Sequence, residues 1–155
     1  NKDYSQALTW YLKAAERGDA AAQSNIGSLF EKGQGVPKNA AAAADWYRKA
    51  AEAGNLSAQV NLGVLYFNGQ GVERDPVEAY KWLYLADMGG LPVAREKREF
   101  VDLRIEGWLR SLPDALSRDL RREWSRLREL GKDELTLDAI ERLVSLEKLR
   151  GSRGA

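Results

Sequence analysis

The stretch WYLKAAERG at residues 10–18 recurs as WYRKAAEAG at 46–54 and, more loosely, as WLYLADMGG at 82–90. Working outward, AQSNIGSLFEKGQGV at 22–36 recurs as AQVNLGVLYFNGQGV at 58–72. The spacing is 36 residues throughout, with no gap. Trp10, Trp46 and Trp82 share a register, as do Ala7, Ala43 and Ala79, and Gly18, Gly54 and Gly90. A fixed period of this length marks a stacked array, in which each unit buries its apolar face against its neighbours.

Each unit reads as two helices. Asp3, Asn39 and Asp75 stand where an N-cap is wanted, since a side-chain oxygen there accepts an orphan backbone N–H. Pro76 follows at the first helical position, where a missing N–H costs nothing. Tyr4, Ala7, Leu8, Tyr11, Ala14 and Ala15 then form an apolar stripe at helical spacing. Gly18, Gly54 and Gly90 end the first helices, and Asp19 and Asn55 cap the second. The second helix buries Ala22, Ile26, Leu29 and Phe30, repeated as Ala58, Leu62, Leu65 and Tyr66. Gly27 and Gly63 each cost about 1 kcal/mol of helix propensity against alanine, so their recurrence predicts close approach of a neighbouring helix. The G-Q-G-V segments at 33–36 and 69–72 follow helices, not strands. They read as turns, not as phosphate-binding loops.

The order W-Y-x-K-A-A-E-x-G, A-Q-x-N-L-G-x-L-Y, G-x-G-V over about residues 3–95 resembles the Sel-one-like repeat family, relatives of the tetratricopeptide repeats with a longer unit. The resemblance implies an all-α fold: a right-handed α-solenoid of helix-turn-helix repeats with a C-terminal helical cap. It also implies a protein-binding role, with bacterial members often exported and some acting in secretion, regulation or toxin immunity.

Residues 1–90 are expected to hold the repeats, with units near 3–38, 39–74 and 75–110, the last divergent. In that unit Asn25 and Asn61 become Lys97, Ile26 and Leu62 become Arg98, and Gly27 and Gly63 become Glu99. The cap position becomes Leu91, although Pro92 starts a helix well. A charged second helix does not receive another repeat in the same way, so residues 91–110 read as a capping helix and 91–150 as the capping region. One further helix is expected with Leu116, Leu120, Trp124, Leu127 and Leu130 on one face. Another follows over 137–149, and residues 151–155 form a frayed tail.

The chain has 155 residues, with 24 basic and 23 acidic side chains, no histidine and no cysteine. Disulfides, thiol or imidazole metal sites and histidine-based triads are excluded. A net charge of +1 is not the footprint of a nucleic-acid binder. The arginines between Arg110 and Arg128 are interleaved with acids and read as a solvated helix face. No apolar run is long enough to span a membrane. The start, Asn1-Lys2-Asp3-Tyr4, has neither an initiator methionine nor a signal-peptide pattern. It reads as a processed start or a fragment, and cytoplasm and periplasm both stay open.

Acids such as Asp45 and Glu52 occur without the marks of a matched acid–base pair. The expectation is therefore no enzyme and no cofactor. The chain reads as a protein-interaction module, an adaptor, regulator or immunity-type partner. The alternatives are a structural fragment of a larger repeat assembly and, less favoured, a carboxylate-based hydrolase. In tetratricopeptide-like solenoids the first helices line the concave groove, so by resemblance their variable positions are the binding candidates: Thr9, Leu12, Lys13, Asp45, Arg48, Lys49, Lys81 and Tyr84. For Tyr84, and for Leu85 and Met88 in the same unit, burial under the C-terminal helices is the competing reading. Trp46 is expected to be buried between units, as packing and not as a ligand cage.

Overall fold

The structure, a computed structural model, describes residues 2–111, 118, 120–122 and 124–126. It contains six helices in chain order: α1 (Lys2–Ala15), α2 (Ala20–Lys32), α3 (Ala40–Glu52), α4 (Leu56–Asn68), α5 (Pro76–Met88) and α6 (Pro92–Arg110). No strand occurs among the described residues. Each helix packs mainly on its neighbours in the chain, most extensively α2 on α3 and α4 on α5. The fold is thus a helical solenoid of repeated helix pairs.

The local signals act as the residues dictate. The Asp19 carboxylate accepts from the backbone N–H groups of Ala21 and Ala22 at 2.9 and 3.1 Å. Asn39 accepts from Ala42 at 3.0 Å and Asn55 from Ala58 at 2.8 Å. Asp75 accepts from Val77 and Glu78, with Pro76 opening α5. Asp3 differs: it lies inside the first turn of α1, where its charge still favours the positive end of the helix dipole.

Two glycine registers are fixed by neighbours. A Cβ on Gly27 would stand 2.7 Å from the Tyr47 ring, and one on Gly63 would stand 2.9 Å from Leu83. These glycines let the first helix of the next unit approach, which offsets their helix-propensity cost. In the turns, Gly35 (φ 74°) lies against the backbone of Tyr4 and Ser5, and Gly71 (φ 71°) against that of Ala40 and Ala41. The G-Q-G-V turn therefore tucks under the start of the preceding first helix.

The core runs through the units as linked clusters. Ala43, Ala44, Tyr47, Ala50, Ala51, Leu62 and Leu65 are buried where α3 meets α4 and its neighbours. Each large apolar side chain there contributes about 1.5–3 kcal/mol by leaving water. A second cluster joins Tyr80, Leu83 and Tyr84 of α5 to Ala94, Val101, Ile105 and Leu109 of α6, and also takes in Leu120 and Trp124. Ala94 and Val101 keep the registers of Ala58 and Leu65, so the divergent helix retains part of the repeat's buried stripe. Trp124 donates from Nε1 to Asp102 at 2.9 Å and meets Tyr80 edge-on, with centroids 4.8 Å apart. Of the expected stripe, Leu120 and Trp124 are buried. Leu116, Leu127, Leu130, the helix over 137–149 and the tail at 151–155 lie outside the described residues.

Candidate functional site

The eight candidate positions fall on the first helices α1, α3 and α5, and their exposure changes along the array. Thr9, Leu12 and Lys13 on α1 are exposed, as are Asp45 and Lys49 on α3. The Thr9 hydroxyl donates back to the Ser5 carbonyl at 3.1 Å. Arg48 is half-buried and donates to Asp45 at 3.2 Å and to the Tyr66 hydroxyl at 3.0 Å, tying α3 to α4. Its guanidinium is held by its own fold, so it offers a partner mainly its edge. Lys81 is also half-buried, with its ammonium on Glu78 at 2.8 Å.

Tyr84 corrects the expectation. It is 6% exposed and belongs to the core cluster that includes Leu120 and Trp124. Its ring stacks on Tyr80 at 6.3 Å, and the Arg98 guanidinium lies 5.9 Å from its centroid. It therefore packs the third unit and is not presented to a partner. Of its neighbours in that stripe, Leu85 is partly buried and Met88 is exposed.

The tryptophan register carries a second pattern. Lys13 Nζ stands 5.1 Å from the Trp10 ring centroid, and Lys49 Nζ stands 4.4 Å from that of Trp46. In the third unit Leu85 replaces the lysine, and Lys81 Nζ stands 4.9 Å from the Trp82 ring centroid. Burial rises along the array: Trp10 is 69% exposed, Trp46 is half-buried and Trp82 is 8% exposed. Trp46 is thus less buried than expected. It packs on the Ala15–Ala22–Ile26 cluster by one side and carries Lys49 on its ring. The surface of α1 and α3 presents lysines, an indole and Leu12 together. Such a mixture suits contact with a protein better than capture of a small molecule.

Among the described residues, no three acidic side chains gather where they could hold a metal ion, and no helix is long and apolar enough to cross a membrane. A cluster of three charges in the third unit is structural. The buried Asp87 carboxylate accepts a hydrogen bond from Arg95 Nε at 3.2 Å and forms an ion pair with Arg98 at 3.1 Å. Asp87 occupies the register of Ala15 and Ala51, and Arg98 that of Ile26 and Leu62, so the pair replaces an apolar contact of the earlier units.

A cleft that the first-helix registers do not announce opens on the second-helix side. About 440 Å³ opens between α4 and α6, lined by Val64, Phe67, Leu83, Lys97, Phe100 and Val101. The signal was present in the repeat: Ser28 and Glu31 of the first unit become Val64 and Phe67 of the second.

Residues 1–19, 20–55 and 56–86 match the Sel1 repeat family. The middle match has the length of the internal period but begins at a second helix, half a unit out of phase with the helix pairs. It therefore encloses the extensive α2–α3 contact. A Sel1 repeat protein from Oxalobacter formigenes is 41% identical, with a TM-score of 0.63 over 66% of this chain and 42% of that one. A protective antigen present in uropathogenic Escherichia coli strains, displaying an SLR fold, is 34% identical, with a TM-score of 0.63 over 92% of this chain and 28% of that one. This chain therefore spans less than half the length of either structure. Both relatives are bacterial, which points to a bacterial origin. No curated protein matches the chain.

Proposed function

The chain belongs to the Sel1 repeat family, and on that premise we propose that it is a non-enzymatic protein-interaction scaffold that receives a protein partner across α1 and α3. Repeats of this type are generally protein-interaction scaffolds. The observation that carries the reading is a division within the first helices. Ala43, Ala44, Tyr47, Ala50 and Ala51 of α3 are buried, in the registers of Ala7, Leu8, Tyr11, Ala14 and Ala15. Most positions between them differ from unit to unit, and on α1 and α3 all but the half-buried Arg48 are exposed: Thr9 and Asp45, Leu12 and Arg48, and Lys13 and Lys49, which give way only to Leu85 in the third unit. Tryptophan and arginine are over-represented where binding energy concentrates, and Trp10 is the most accessible large apolar side chain on this face. Lys81 extends the register into α5 as a paired charge.

The test is affinity capture from the source organism. Wild type is compared with a Lys13→Glu/Lys49→Glu double variant, whose two positions are exposed. The reading expects a specific protein to be recovered by wild type and lost by the variant, at equal melting temperature. Recovery of the same protein by both would move the binding site off this face.

A second reading, a segment of a larger repeat assembly, is favoured by one observation. Leu8 and Tyr11 are half-exposed on α1, whereas their counterparts Ala44 and Tyr47, and Tyr80 and Leu83, are buried by the preceding second helix. A copy of residues 20–38 fused ahead of Asp3 would then raise the melting temperature, and an unchanged melt would count against it.

A further inference from the structure

The cleft between α4 and α6 has a counterpart one unit earlier, and the two are built differently. Between α2 and α4 the equivalent space is occupied by Tyr47, which is 1% exposed and donates its hydroxyl to Glu31 at 2.6 Å. Ser28 and Asn61 also stand within hydrogen-bonding reach of that phenol. Each of these residues changes 36 positions on: Tyr47 to Leu83, Glu31 to Phe67, Ser28 to Val64, Asn61 to Lys97 and Val64 to Phe100. A six-membered ring and its hydroxyl are replaced by an isobutyl group, and the polar receiver by apolar walls. The result is the 440 Å³ opening. Phe67 and Phe100 meet edge-on across it at 5.6 Å, and Phe100 is 49% exposed.

Three cations and the Glu96 carboxylate stand at or beside the rim. Arg74 lies 5.6 Å from the Phe67 ring centroid and donates from Nε to the Phe67 carbonyl at 3.0 Å. Arg104 lies 5.1 Å from the Phe100 centroid, and Lys97 lines the cleft beside Glu96. Arg74, Lys97 and Arg104 are exposed and form no ion pair among the described residues. Three such cations around an apolar hole favour an apolar group that arrives with negative charge beside it.

We propose that the α4–α6 cleft is a second partner-binding site, which takes an aromatic side chain from an acidic segment of another protein into the space that Tyr47 fills in the preceding unit. The occupant's ring lies against Leu83, Phe67 and Phe100, and its flanking carboxylates meet Arg74, Lys97 and Arg104. The proposal rests on the scaffold reading but uses the opposite set of helices.

The probe is a capped pentapeptide, glutamate-glutamate-phenylalanine-glutamate-glutamate, titrated into the full chain and followed by amide shifts in NMR. Shifts should concentrate on α4 and α6. Replacing phenylalanine by alanine, or the glutamates by lysines, should weaken binding about tenfold or more. Leu83→Tyr with Phe67→Glu restores the earlier unit's plug and should abolish binding. Should that variant fail to fold, Phe100→Ala changes a half-exposed ring and should weaken binding by a similar factor. Lys13→Glu/Lys49→Glu should bind the peptide as wild type does, so failure at one face is distinguishable from failure at the other. Absence of binding overturns the proposal. So does equal binding of the alanine or lysine peptides, or undiminished binding by the folded plug or Phe100→Ala variants.

Discussion

Gly27 and Gly107 are both helical glycines with opposite reasons to be there. The ring of Tyr47 stands where a Gly27 Cβ would go, and that ring is held by its bond to Glu31. Gly27→Ala gains about 1 kcal/mol of helix propensity and loses about 1–3 kcal/mol to overpacking, so a net loss of stability is expected. At Gly107 nothing lies within reach of a Cβ, and Gly107→Ala should stabilise by up to about 1 kcal/mol. Urea melts of the two variants check the pair, and two shifts of the same sign would contradict the contact. Tyr47 itself should report on pH. Burial first, and then the bond to Glu31, raise its phenol above the ordinary value. The unfolded chain releases that proton near pH ~10 while the folded chain retains it. This contribution is therefore present in full below pH ~10 and is lost as pH rises further. Burial raises Tyr80 as well, so the test is differential. Between about pH 9 and pH 11 the stability of Tyr47→Phe should fall less than that of wild type, and equal falls would contradict the assignment.

Helices α5 and α6 show what happens when a repeat stops repeating. The Asp87–Arg98 pair stands where the second unit has Ala51 and Leu62. Arg98 spreads over Tyr80 and Tyr84, which its partners in the earlier units do not have. Removing one member strands the other: Asp87→Ala should cost about 1–3 kcal/mol, since the half-buried Arg98 loses its counter-charge. The double change Asp87→Ala/Arg98→Leu restores the apolar contact and should recover most of that loss, because buried pairs are often replaceable by packed apolar groups. A double-mutant cycle by chemical denaturation measures the coupling, and strictly additive losses would contradict it. The two helices also show where the sequence is legible. Repeating columns declared their burial: Ala43, Leu62 and Leu65 are buried as their registers require, and the caps at Asp19, Asn39, Asn55 and Asp75 are in place. Varying columns did not, because drift on a free surface and burial under a non-repeating segment leave the same trace. Tyr84 sits in a groove register, yet of its two readings, groove and burial under the C-terminal residues, the second holds. Trp46 was read as core and is half-exposed. The α4–α6 cleft went unread because it arises from several substitutions in different columns that matter only together.

At the scale of the molecule, α6, Leu120 and Trp124 pack on α5. Ending the chain at Gly90 would uncover Tyr80, Leu83 and Tyr84 and leave little more than two complete pairs, below the about three that a stable solenoid needs. Such a truncation is expected to aggregate or to lose cooperative unfolding in a thermal melt. A sharply melting monomer would show that residues 91–155 do not act as a cap. The accessible first-helix surface lies on α1 and α3, and the central claim is that a protein partner docks there. Site-specific photo-crosslinking in the source organism tests it most directly. A benzophenone side chain is placed in turn at Leu12, at Lys49 and, as a control, at Asn25, an exposed position on α2 away from both proposed sites. The account predicts one and the same covalent partner from positions 12 and 49 and none from position 25. A partner captured from position 25 alone, or none from positions 12 and 49, would contradict it.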